Sequence, residues 1–405
     1  MTVRVALIGA NGHGRWHRRR LAPRHESGAI AFVGIAEPNP LDPDPPVPPG
    51  TRLFPDHHTL LAETRPDVVV ICTPPGTHLP IALDALAARC DLLLEKPPLL
   101  SLADHTRLVA ALAEAGRSCQ VGFQALASAA YDELCAAVEG GALGTVTGIA
   151  AVASWQRDDA YYARSPWAGR RAVDGALINP LGHAVMQSLA LADRVCSASR
   201  YAPLVTGGGA YLDAEQSVPK TLEVERYRTR PIESDDTAVL RLTGQGRPPV
   251  VVAVTLAGEE LIPGEITVTG TRGSATLEYP TDRLRLPGDP GMREVPGRVD
   301  LLDNLLAHRA DRAGVPLRAA LAATAGFTAV VEALGAAPAP AALGDGVVAD
   351  LGAGPQRVRS IRGINGVLRR AAEQHALPSE LGVPWAHPPH TENSLQTTGP
   401  GTARK

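Results

Sequence analysis

Apolar runs alternate with helix-like segments through the first 122 residues, and this alternation constrains the fold more than any other feature of the chain. Each apolar run has the length of a buried strand, and each is followed by a segment with helical periodicity. The predicted strands are 3–8, 30–36, 68–72, 91–95 and 118–122, and the predicted helices are 12–21, 57–63, 78–89 and 102–115. Such a succession predicts βαβ units, so the expected fold class is α/β, with a doubly wound parallel sheet over residues 1–122.

The turn after the first predicted strand is rich in glycine and reads Gly9-Ala10-Asn11-Gly12-His13-Gly14. The dinucleotide-binding fingerprint, G-x-G-x-x-G, aligns with positions 9, 11 and 14. Gly9 and Gly14 fit, whereas Asn11 stands where a second glycine normally lets the backbone approach the pyrophosphate. Asparagine tolerates a left-handed backbone and Gly12 adds freedom, so these six residues are still expected to hold phosphate at the helix N-terminus.

An acidic residue, Glu37, follows the second predicted strand. A carboxylate at this position accepts hydroxyl protons of the adenosine ribose and repels a 2′-phosphate. No arginine or lysine follows it directly, so NAD is expected in preference to NADP. The alternative is a solvated glutamate at a strand end. Seven prolines between Pro38 and Gly50 predict an extended surface loop after it.

A lysine follows the predicted strand at 91–95, in the run Leu92-Leu93-Leu94-Glu95-Lys96-Pro97. In an open parallel sheet it would point into the crevice where ligands bind, and an ammonium there is costly to desolvate unless it is used. A solvated lysine is the alternative. At the preceding strand end, Thr73 and Pro74 would lie beside the nicotinamide. His78, at the start of the next helix, is expected either to contact the cofactor or to pack near that loop.

The composition is that of an ordinary globular protein, with 44% hydrophobic and 20% charged residues among 405. A chain of this length usually forms two domains. The net charge of −3 gives no reason to expect nucleic acid or a membrane surface as a partner. The five cysteines form no Cys-x-x-Cys pair, and no targeting segment is apparent, so a cytoplasmic location is expected. No metal is expected, because no histidine pair with a third ligand is apparent at metal-binding spacing.

Beyond residue 122 the pattern changes to strands at the spacing of an antiparallel sheet. The strands expected are about 145–155, 236–243, 250–257, 265–270 and 274–279, with a helix at 131–139 and helical character over 299–335. Residues 123–387 are therefore expected to form a second α/β domain. A closing helix near 361–376 is a candidate to pack back on the first domain, and the polar tail 388–405 is expected to be disordered.

Aromatic and arginine side chains cluster in the second domain, although the chain is only 4% aromatic. The aromatic residues are Trp155, Tyr161, Tyr162 and Trp167, and the arginines are Arg164, Arg170 and Arg171. Aromatic faces stack on the C–H surfaces of sugars, and arginine binds hydroxyls, carboxylates or phosphates. Trp155, Tyr162, Trp167 and Arg170 are therefore candidate substrate-binding residues. The alternative is a loop packed by its own aromatic side chains, with solvated arginines.

A polar pair follows this cluster. Asn179 precedes Pro180 and resembles an N-cap followed by proline in the first turn of a helix. His183 would then lie one turn later on the same side of that helix. Asn179 and His183 are candidates for substrate contact, and a packed helix histidine is the alternative.

In order, these motifs resemble the glucose–fructose oxidoreductase, inositol dehydrogenase and MocA (Gfo/Idh/MocA) family of NAD(P)-dependent oxidoreductases, over roughly residues 2–385. The matching motifs are 9–14, Glu37, 73–78, 95–97, 120–124, 141–144, 179–183 and 268–273. The resemblance implies a Rossmann domain, then an α/β domain with a large, mostly antiparallel sheet that forms a homodimer or homotetramer. It implies that Lys96 and His183 reach the substrate, adds Glu95, Lys96 and Gln124 to the cofactor-binding residues, and implies a cis peptide before Pro97. Asn179 departs from the aspartate common in the family's sugar and cyclitol dehydrogenases.

The implied activity is hydride transfer between nicotinamide and a secondary alcohol of a sugar, cyclitol or related polyol. His183 would accept the hydroxyl proton while Lys96 stabilises the negative charge developing on the same oxygen. The exchanged assignment, with Lys96 as the base, is equally open. Two other functions stay open: an NAD-dependent glycosidase of the same fold, and a non-catalytic sensor or corepressor that binds the cofactor.

Overall fold

The chain divides into two compact units, and one of them is discontinuous in sequence. The computed structural model describes residues 2–200, 218–244, 246–393 and 395. The first unit comprises the residues up to Gln124 together with Val299–Ala322, and the second comprises Ala125–Arg298 and the residues from Ala323 onward. The first unit thus ends close to the expected boundary at 122, but it also takes in a segment that the sequence pattern assigned to the second domain.

The first unit is built on a six-stranded parallel sheet, as the alternating pattern predicts. Its strands are β1 (Val3–Ile8), β2 (Ile30–Ala36), β3 (Arg52–Phe54), β4 (Val68–Ile71), β5 (Asp91–Leu94) and β6 (Cys119–Val121), and its first four helices are α1 (Gly14–Glu26), α2 (His57–Thr64), α3 (His78–Ala87) and α4 (Leu102–Ala115). The strand order is β3-β2-β1-β4-β5-β6. The order reverses between β1 and β4, which is where ligands bind in open sheets of this kind.

Local sequence signals account for most of these elements. Ser101 caps α4, accepting a hydrogen bond from the Asp104 N–H at 3.2 Å. Asp56 caps α2 in the same way, through the Thr59 N–H at 2.9 Å. Strand β4 is completely buried, which explains its continuous apolar run. Strand β3 is not predicted, because three residues at a sheet edge are too few to show a period.

The segment Val299–Ala322 belongs with the first unit through ion pairs that no local pattern reveals. It contains helix α8 (Leu301–Ala310), from which Arg309 donates to Asp91 at 2.5 Å and to Asp67 at 2.8 Å. Arg312 also donates to Asp91, at 2.8 Å. Asp91 is fully buried at the start of β5, where an unpaired carboxylate would be costly. The assignment of 299–322 to the second domain was therefore wrong.

The second unit is built on a ten-stranded, mostly antiparallel sheet. Its strands are β7 (Val146–Gln156), β8 (Thr221–Arg228), β9 (Thr237–Thr243), β10 (Val250–Thr255), β11 (Ala257–Gly270), β12 (Gly273–Glu278), β13 (Arg283–Arg285), β14 (Arg293–Glu294), β15 (Ala341–Ala342) and β18 (His390–Asn393), beside a separate pair, β16 (Val348–Leu351) and β17 (Val358–Ile361). Its helices are α5 (Ala129–Glu139), α6 (Asp159–Ala163), α7 (Gly182–Arg200), α9 (Ala325–Ala336) and α10 (Ile364–Gln374). Two strand pairs, β7 with β10 and β8 with β15, are parallel, so the sheet is mixed.

The closing helix α10 packs on the sheet of its own unit, and the expectation that it also packs on the first domain stays a prediction. Ile364 and Leu368 are fully buried in a core that also contains Val251 and Ala253 of β10. The helix is strongly amphipathic, and its apolar stripe matches the alternating apolar residues on one face of the sheet.

The end of the described chain also differs from expectation. Residues 390–393, which were expected to lie in a disordered tail, form β18 and pair antiparallel with β8. Residues 396–405 of that predicted tail lie outside the described residues. None of the helices in the described part of the chain combines the length and the apolar character needed to cross a membrane.

Candidate functional site

The glycine turn joins β1 to α1, and two of its glycines leave no room for a side chain. Gly9 has φ +84°, and a Cβ atom there would lie 2.4 Å from the carbonyl oxygen of Cys72, just after β4. A Cβ on Gly14 would lie 2.3 Å from the Gly9 carbonyl oxygen. The close approach of the β1 and β4 ends therefore requires glycine at both positions.

Asn11, which replaces the middle glycine of the fingerprint, ties the turn to the proline-rich loop. Its side-chain amide donates to the Pro40 carbonyl at 3.0 Å, and its Oδ1 accepts the Asp42 N–H at 2.9 Å. Gly12 follows with φ +55° and open space around its α-carbon. These two hydrogen bonds to the proline-rich loop explain the asparagine at position 11. The loop is not part of the fingerprint.

Glu37 lies against the same turn. Its Oε2 accepts the Ala10 N–H at 3.0 Å and the Asn11 N–H at 3.3 Å, and its Oε1 accepts the Asn39 N–H at 3.2 Å. The carboxylate therefore stands at the turn, where the adenosine ribose of a dinucleotide would meet it. Arg15 and Arg19, at the start of α1, pair with Asp44 of the proline-rich loop.

Glu95 connects the end of β5 to the glycine turn. His17 approaches its Oε1 at 2.9 Å, and its Oε2 accepts the Lys96 N–H at 3.2 Å. Gly122 makes room for it, since a Cβ there would lie 2.7 Å from Oε2. Burial raises the pKa of Glu95, but the neighbouring His13 and His17 outweigh burial and hold that pKa well below its usual range. Glu95 is therefore an ionised carboxylate inside the first unit.

The residues around Glu95 include Lys96, which is partly buried. The peptide between Lys96 and Pro97 is cis, as the family resemblance implies. The Glu95 contacts bring the glycine turn and the lysine-bearing strand end to the same edge of the sheet. Gln124, at the end of the first unit, is half-buried.

His78 holds two loops together. Its Nδ1 faces the Pro98 carbonyl at 3.1 Å and its Nε2 faces the Thr73 carbonyl at 2.9 Å. Burial lowers the pKa of His78, which favours the neutral imidazole. Both ring nitrogens face carbonyl groups of the loops that follow β4 and β5. These contacts fit the packing role, which is one of the two roles that the sequence left open for His78. Thr73 and Pro74 lie directly after β4, as expected.

In the second unit, the predicted aromatic cluster packs largely on itself. The Arg164 guanidinium lies 3.6 Å from the ring centre of Tyr161 and 4.8 Å from that of Trp167. The rings of Tyr161 and Tyr162 meet edge to face at 5.1 Å. Trp155 donates its indole N–H to the Pro263 carbonyl at 2.8 Å. These contacts are those of the self-packed loop that the sequence offered as the alternative.

The arginines of that cluster are held by other partners. Arg170 pairs with Glu233 at the surface, and Arg171 donates to the Ala337 carbonyl at 3.0 Å. A substrate-binding role for Arg170 therefore stays a prediction.

Helix α7 begins at Gly182, so the N-cap role predicted for Asn179 was wrong. Asn179 lies in the turn before the helix and donates its amide to Asp174 Oδ1 at 3.1 Å. Asp174 is buried, and its Oδ2 accepts the Gly169 N–H at 2.7 Å. His183 is the second residue of α7 and is half-buried. Asp174 was not predicted, although it precedes Gly175 in an Asp-Gly pair typical of turns.

A second buried carboxylate, Asp235, supports the same segment. Its Oδ2 accepts the Ala176 N–H at 2.9 Å, and Arg226 lies 3.5 Å from its Oδ1. Burial raises the pKa of Asp235 to about 6. Together, Asp174 and Asp235 hold the turn that leads into α7 and His183. The sequence gives no signal for Asp235. Ala176 lies more than fifty residues earlier in the chain, and Arg226 lies in strand β8.

Asp235→Asn should change how stability depends on pH. A folded-state pKa above the unfolded value means that the folded protein binds more protons between pH ~4 and ~6, so stability falls as pH rises through that window. Asparagine cannot titrate, so the variant should gain stability relative to wild type between pH 4.5 and pH 7.5. Urea unfolding at both pH values tests this, with exposed Asp345→Asn as the control that should follow wild type. An equal stability difference at both pH values would contradict the assignment.

One sequence expectation about histidines was wrong. His13 and His17 have the spacing H-x-x-x-H, and Glu95 is a third potential ligand for the pair. The third potential ligand, Glu95, comes from the end of a distant strand, so the spacing of the histidines in the sequence does not reveal the cluster.

Comparison with known proteins bears on the first unit most directly. Residues 3–123 match the model of the Gfo/Idh/MocA family, described as an oxidoreductase family with an NAD-binding Rossmann fold. The matched region holds the glycine turn, Glu37 and the Glu95–Lys96 strand end, and NAD is the cofactor that the family description names.

Curated relatives agree over a similar stretch. An inositol 2-dehydrogenase of Acidothermus cellulolyticus is 32% identical over 144 residues, which are 35% of this chain and 42% of that protein. An inositol 2-dehydrogenase of Gluconacetobacter diazotrophicus is 30% identical over 166 residues, which are 39% of this chain and 47% of that protein. The matches thus span less than half the length of these curated relatives.

Solved structures extend the likeness of fold to most of the chain. The WlbA dehydrogenase of Bordetella pertussis, crystallised with NADH and UDP-GlcNAcA, is 20% identical with a TM-score of 0.63, covering 82% of this chain and 95% of that one. An inositol dehydrogenase homologue of Azotobacter vinelandii, complexed with NAD+, is 18% identical with a TM-score of 0.60, covering 82% and 94%. The expected α/β architecture of a Rossmann sheet followed by a large, mostly antiparallel sheet is therefore confirmed.

Proposed function

We propose that this chain is an NAD-dependent oxidoreductase that moves a hydride between nicotinamide and a secondary alcohol of a sugar, cyclitol or related polyol. The observation that carries the proposal lies in the first unit. Glu95 joins α1, through His17 at 2.9 Å, to the backbone N–H of Lys96 at 3.2 Å, and His13 of the glycine turn lies 3.6 Å from the same carboxylate. The glycine turn and the lysine that follows β5 thus share one sheet edge, in a segment that matches an oxidoreductase family model.

The residues of the turn fit a dinucleotide. Gly9 and Gly14 keep the backbone open at the N-terminus of α1, where helix N–H groups attract phosphate. The Glu37 carboxylate is an acceptor suited to ribose hydroxyls. Since Arg15 and Arg19 are paired with Asp44, these cations are engaged instead of facing a 2′-phosphate. These contacts favour NAD over NADP.

The chain's own residues supply the proton chemistry. When bound, the nicotinamide supplies the hydride acceptor or donor. We assign Lys96 to the alcohol oxygen, where it either removes the proton or stabilises the negative charge that develops there, and His183 stays the second candidate that the sequence offers for the proton transfer. A free imidazole has a pKa near ~6.5, which suits a base at neutral pH, and a lysine can serve as base where its surroundings lower its pKa. Asp174 and Asp235 act through the turn that precedes His183.

The substrate class is proposed from the compounds that the relatives and structural neighbours are named for. Inositol 2-dehydrogenases are the curated relatives of the first unit, and two structural neighbours were crystallised with NADH and UDP-GlcNAcA. Inositol and UDP-GlcNAcA are both polyhydroxylated ring compounds with secondary alcohols. This likeness supports a sugar, cyclitol or related polyol as the substrate of the present chain.

A screen for hydride transfer tests the proposal. Inositols, aldoses, sugar acids and nucleotide sugars are each mixed with NAD and the purified chain, and absorbance of the reduced nicotinamide is followed. We expect net NADH formation with at least one polyol, lost in Lys96→Met. Cleavage of a glycoside without net NADH would instead identify a glycosidase. Tight NAD binding with no turnover of any compound would identify a sensor.

A change at Glu37 tests the cofactor assignment separately. Glu37→Gln keeps the size of the side chain but removes the negative charge that repels a 2′-phosphate. We expect weaker NAD binding and a smaller preference for NAD over NADP, measured by tryptophan fluorescence quenching. An unchanged preference would show that Glu37 does not face the ribose.

A further inference from the structure

Two histidines and one carboxylate converge beside the glycine turn. His13 and His17 are four residues apart at the start of α1, and both direct their Nε2 atoms at Oε1 of Glu95, at 3.6 Å and 2.9 Å. The three potential ligand atoms of this His13–His17–Glu95 cluster lie within 4.8 Å of one another. The spacing i, i+4 places both imidazoles on one side of the helix.

The distances in the cluster are close to those of a metal site. Zn²⁺ binds imidazole nitrogen and carboxylate oxygen at about 2.0–2.2 Å, so neighbouring ligand atoms of a tetrahedral site lie roughly 3.4 Å apart. The two measured separations, 2.9 Å and 3.6 Å, lie on either side of that value. The His13 side chain is 58% exposed, so it can rotate by the small amount required without disturbing the core.

The carboxylate is held in place independently of the histidines. Its second oxygen accepts the Lys96 N–H at 3.2 Å, and Gly122 provides the space that the group occupies. Hydrogen bonds of this kind orient metal ligands. His17 alone would satisfy Oε1 as a simple ion-pair partner. His13 also points its Nε2 atom at Oε1, at 3.6 Å, which is beyond hydrogen-bonding distance. The cluster therefore has one potential metal ligand more than an ion pair needs.

We propose that the His13–His17–Glu95 cluster binds a divalent transition-metal ion of the Zn²⁺ class, with the fourth position left to water. Two imidazoles and one carboxylate are the ligand set of open zinc sites, and imidazole selects Zn²⁺, Co²⁺, Ni²⁺ and Cu²⁺ over Mg²⁺ and Ca²⁺. The ion would fix His13, the residue that precedes α1, and so stiffen the glycine turn. The ion borders the proposed cofactor site, but its ligands need neither nicotinamide nor substrate to bind it, so metal binding can be measured without NAD.

A second histidine cluster on the same unit provides the matched control. His57, His58 and Asp84 also lie within 4.8 Å of one another. Their side chains are 19%, 70% and 41% exposed, against 5% and 11% for His17 and Glu95. Ordering exposed side chains around an ion costs more entropy than using ligands that are already held, so we expect this surface cluster to bind more weakly.

Cobalt titration of the full chain tests the proposal. The protein is stripped with a chelator, dialysed, and titrated with Co²⁺ without NAD, following the visible absorption of tetrahedral cobalt. We expect one strong site per chain, displaced by Zn²⁺. In His13→Ala, whose side chain is exposed, binding should weaken by roughly tenfold or more, as expected for loss of a metal ligand. His57→Ala/His58→Ala should bind as wild type.

A thermal-shift measurement supplies a second readout that does not depend on absorption. Binding to the folded state raises the melting temperature, so Zn²⁺ should raise it for wild type and for His57→Ala/His58→Ala but much less for His13→Ala. Circular dichroism confirms that each variant is folded. Equal cobalt affinity in His13→Ala and wild type, or no tetrahedral cobalt spectrum, would overturn the proposal. Either result would leave the NAD and hydride-transfer tests unaffected.

Discussion

Lys96→Met should lower turnover by roughly two to four orders of magnitude while leaving NAD affinity nearly unchanged. Methionine keeps the length of the side chain but has neither charge nor a proton to donate or accept. The residue follows β5 directly, and its backbone N–H is bonded to the Glu95 carboxylate, so the substitution leaves the strand end anchored. Steady-state kinetics with the best polyol of the screen gives kcat, and a binding titration gives the NAD affinity.

The chain offers a clean control for this variant. It contains only three lysines, Lys96, Lys220 and Lys405, and Lys220 is exposed in the second unit. Lys220→Met changes the net charge equally and should leave turnover and NAD affinity at wild-type values. Wild-type kcat in Lys96→Met would remove Lys96 from the chemistry, and with it the strand-end motif on which the proposed mechanism depends.

Gly9→Ala should abolish NAD binding and destabilise the first unit. The added methyl group would lie 2.4 Å from the Cys72 carbonyl oxygen, and φ +84° is a left-handed conformation that costs an L-residue about 1–2 kcal/mol even in open space. Moving the turn away from β4 would relieve the clash but displace the N–H groups that receive phosphate. We expect the unfolding free energy to fall by more than ~2 kcal/mol, because strain and a steric clash act together.

Gly335→Ala separates this effect from substitution of glycine in general. Gly335 lies in α9, where a Cβ meets no atom within 4 Å, so alanine should leave NAD binding unchanged and stabilise the helix by roughly 0.5–1 kcal/mol. Chemical unfolding measures the stability of both variants, and a titration with NAD measures affinity. If Gly9→Ala binds NAD as wild type does, the turn is not the phosphate site.

The parts of the fold that sequence predicted well are those with short-range signals. Strands β1, β2 and β5 are continuous apolar runs, and Ser101 marks the start of α4, so pattern alone locates them within about a residue. The fingerprint around Gly9 is recognisable because its glycines are required by a close backbone approach that recurs wherever this turn is built.

The parts that sequence missed depend on partners far along the chain. Val299–Ala322 joins the first unit because Arg309 and Arg312 neutralise buried Asp91, and nothing near residue 309 indicates that partner. Helix α10 has an apolar stripe that fits any apolar surface, so its pattern predicts burial but not against which sheet.

Errors at the candidate site have the same origin. Asn179 precedes a proline and matches the pattern of an N-cap, yet its amide is used by Asp174, and the helix begins three residues later. His13 and His17 show metal-ligand spacing only when Glu95 is known to lie beside them. Tertiary contacts decide what a polar side chain does, and a single sequence contains them only implicitly.

Calorimetric titration of the purified chain with NAD, and separately with NADP, tests the central claim most directly. The glycine turn and the Glu37 carboxylate predict one NAD site per chain, with NADP bound at least about tenfold more weakly because its 2′-phosphate meets that carboxylate. If the folded chain releases no heat of binding with NAD, the dinucleotide site does not exist and the oxidoreductase assignment fails with it.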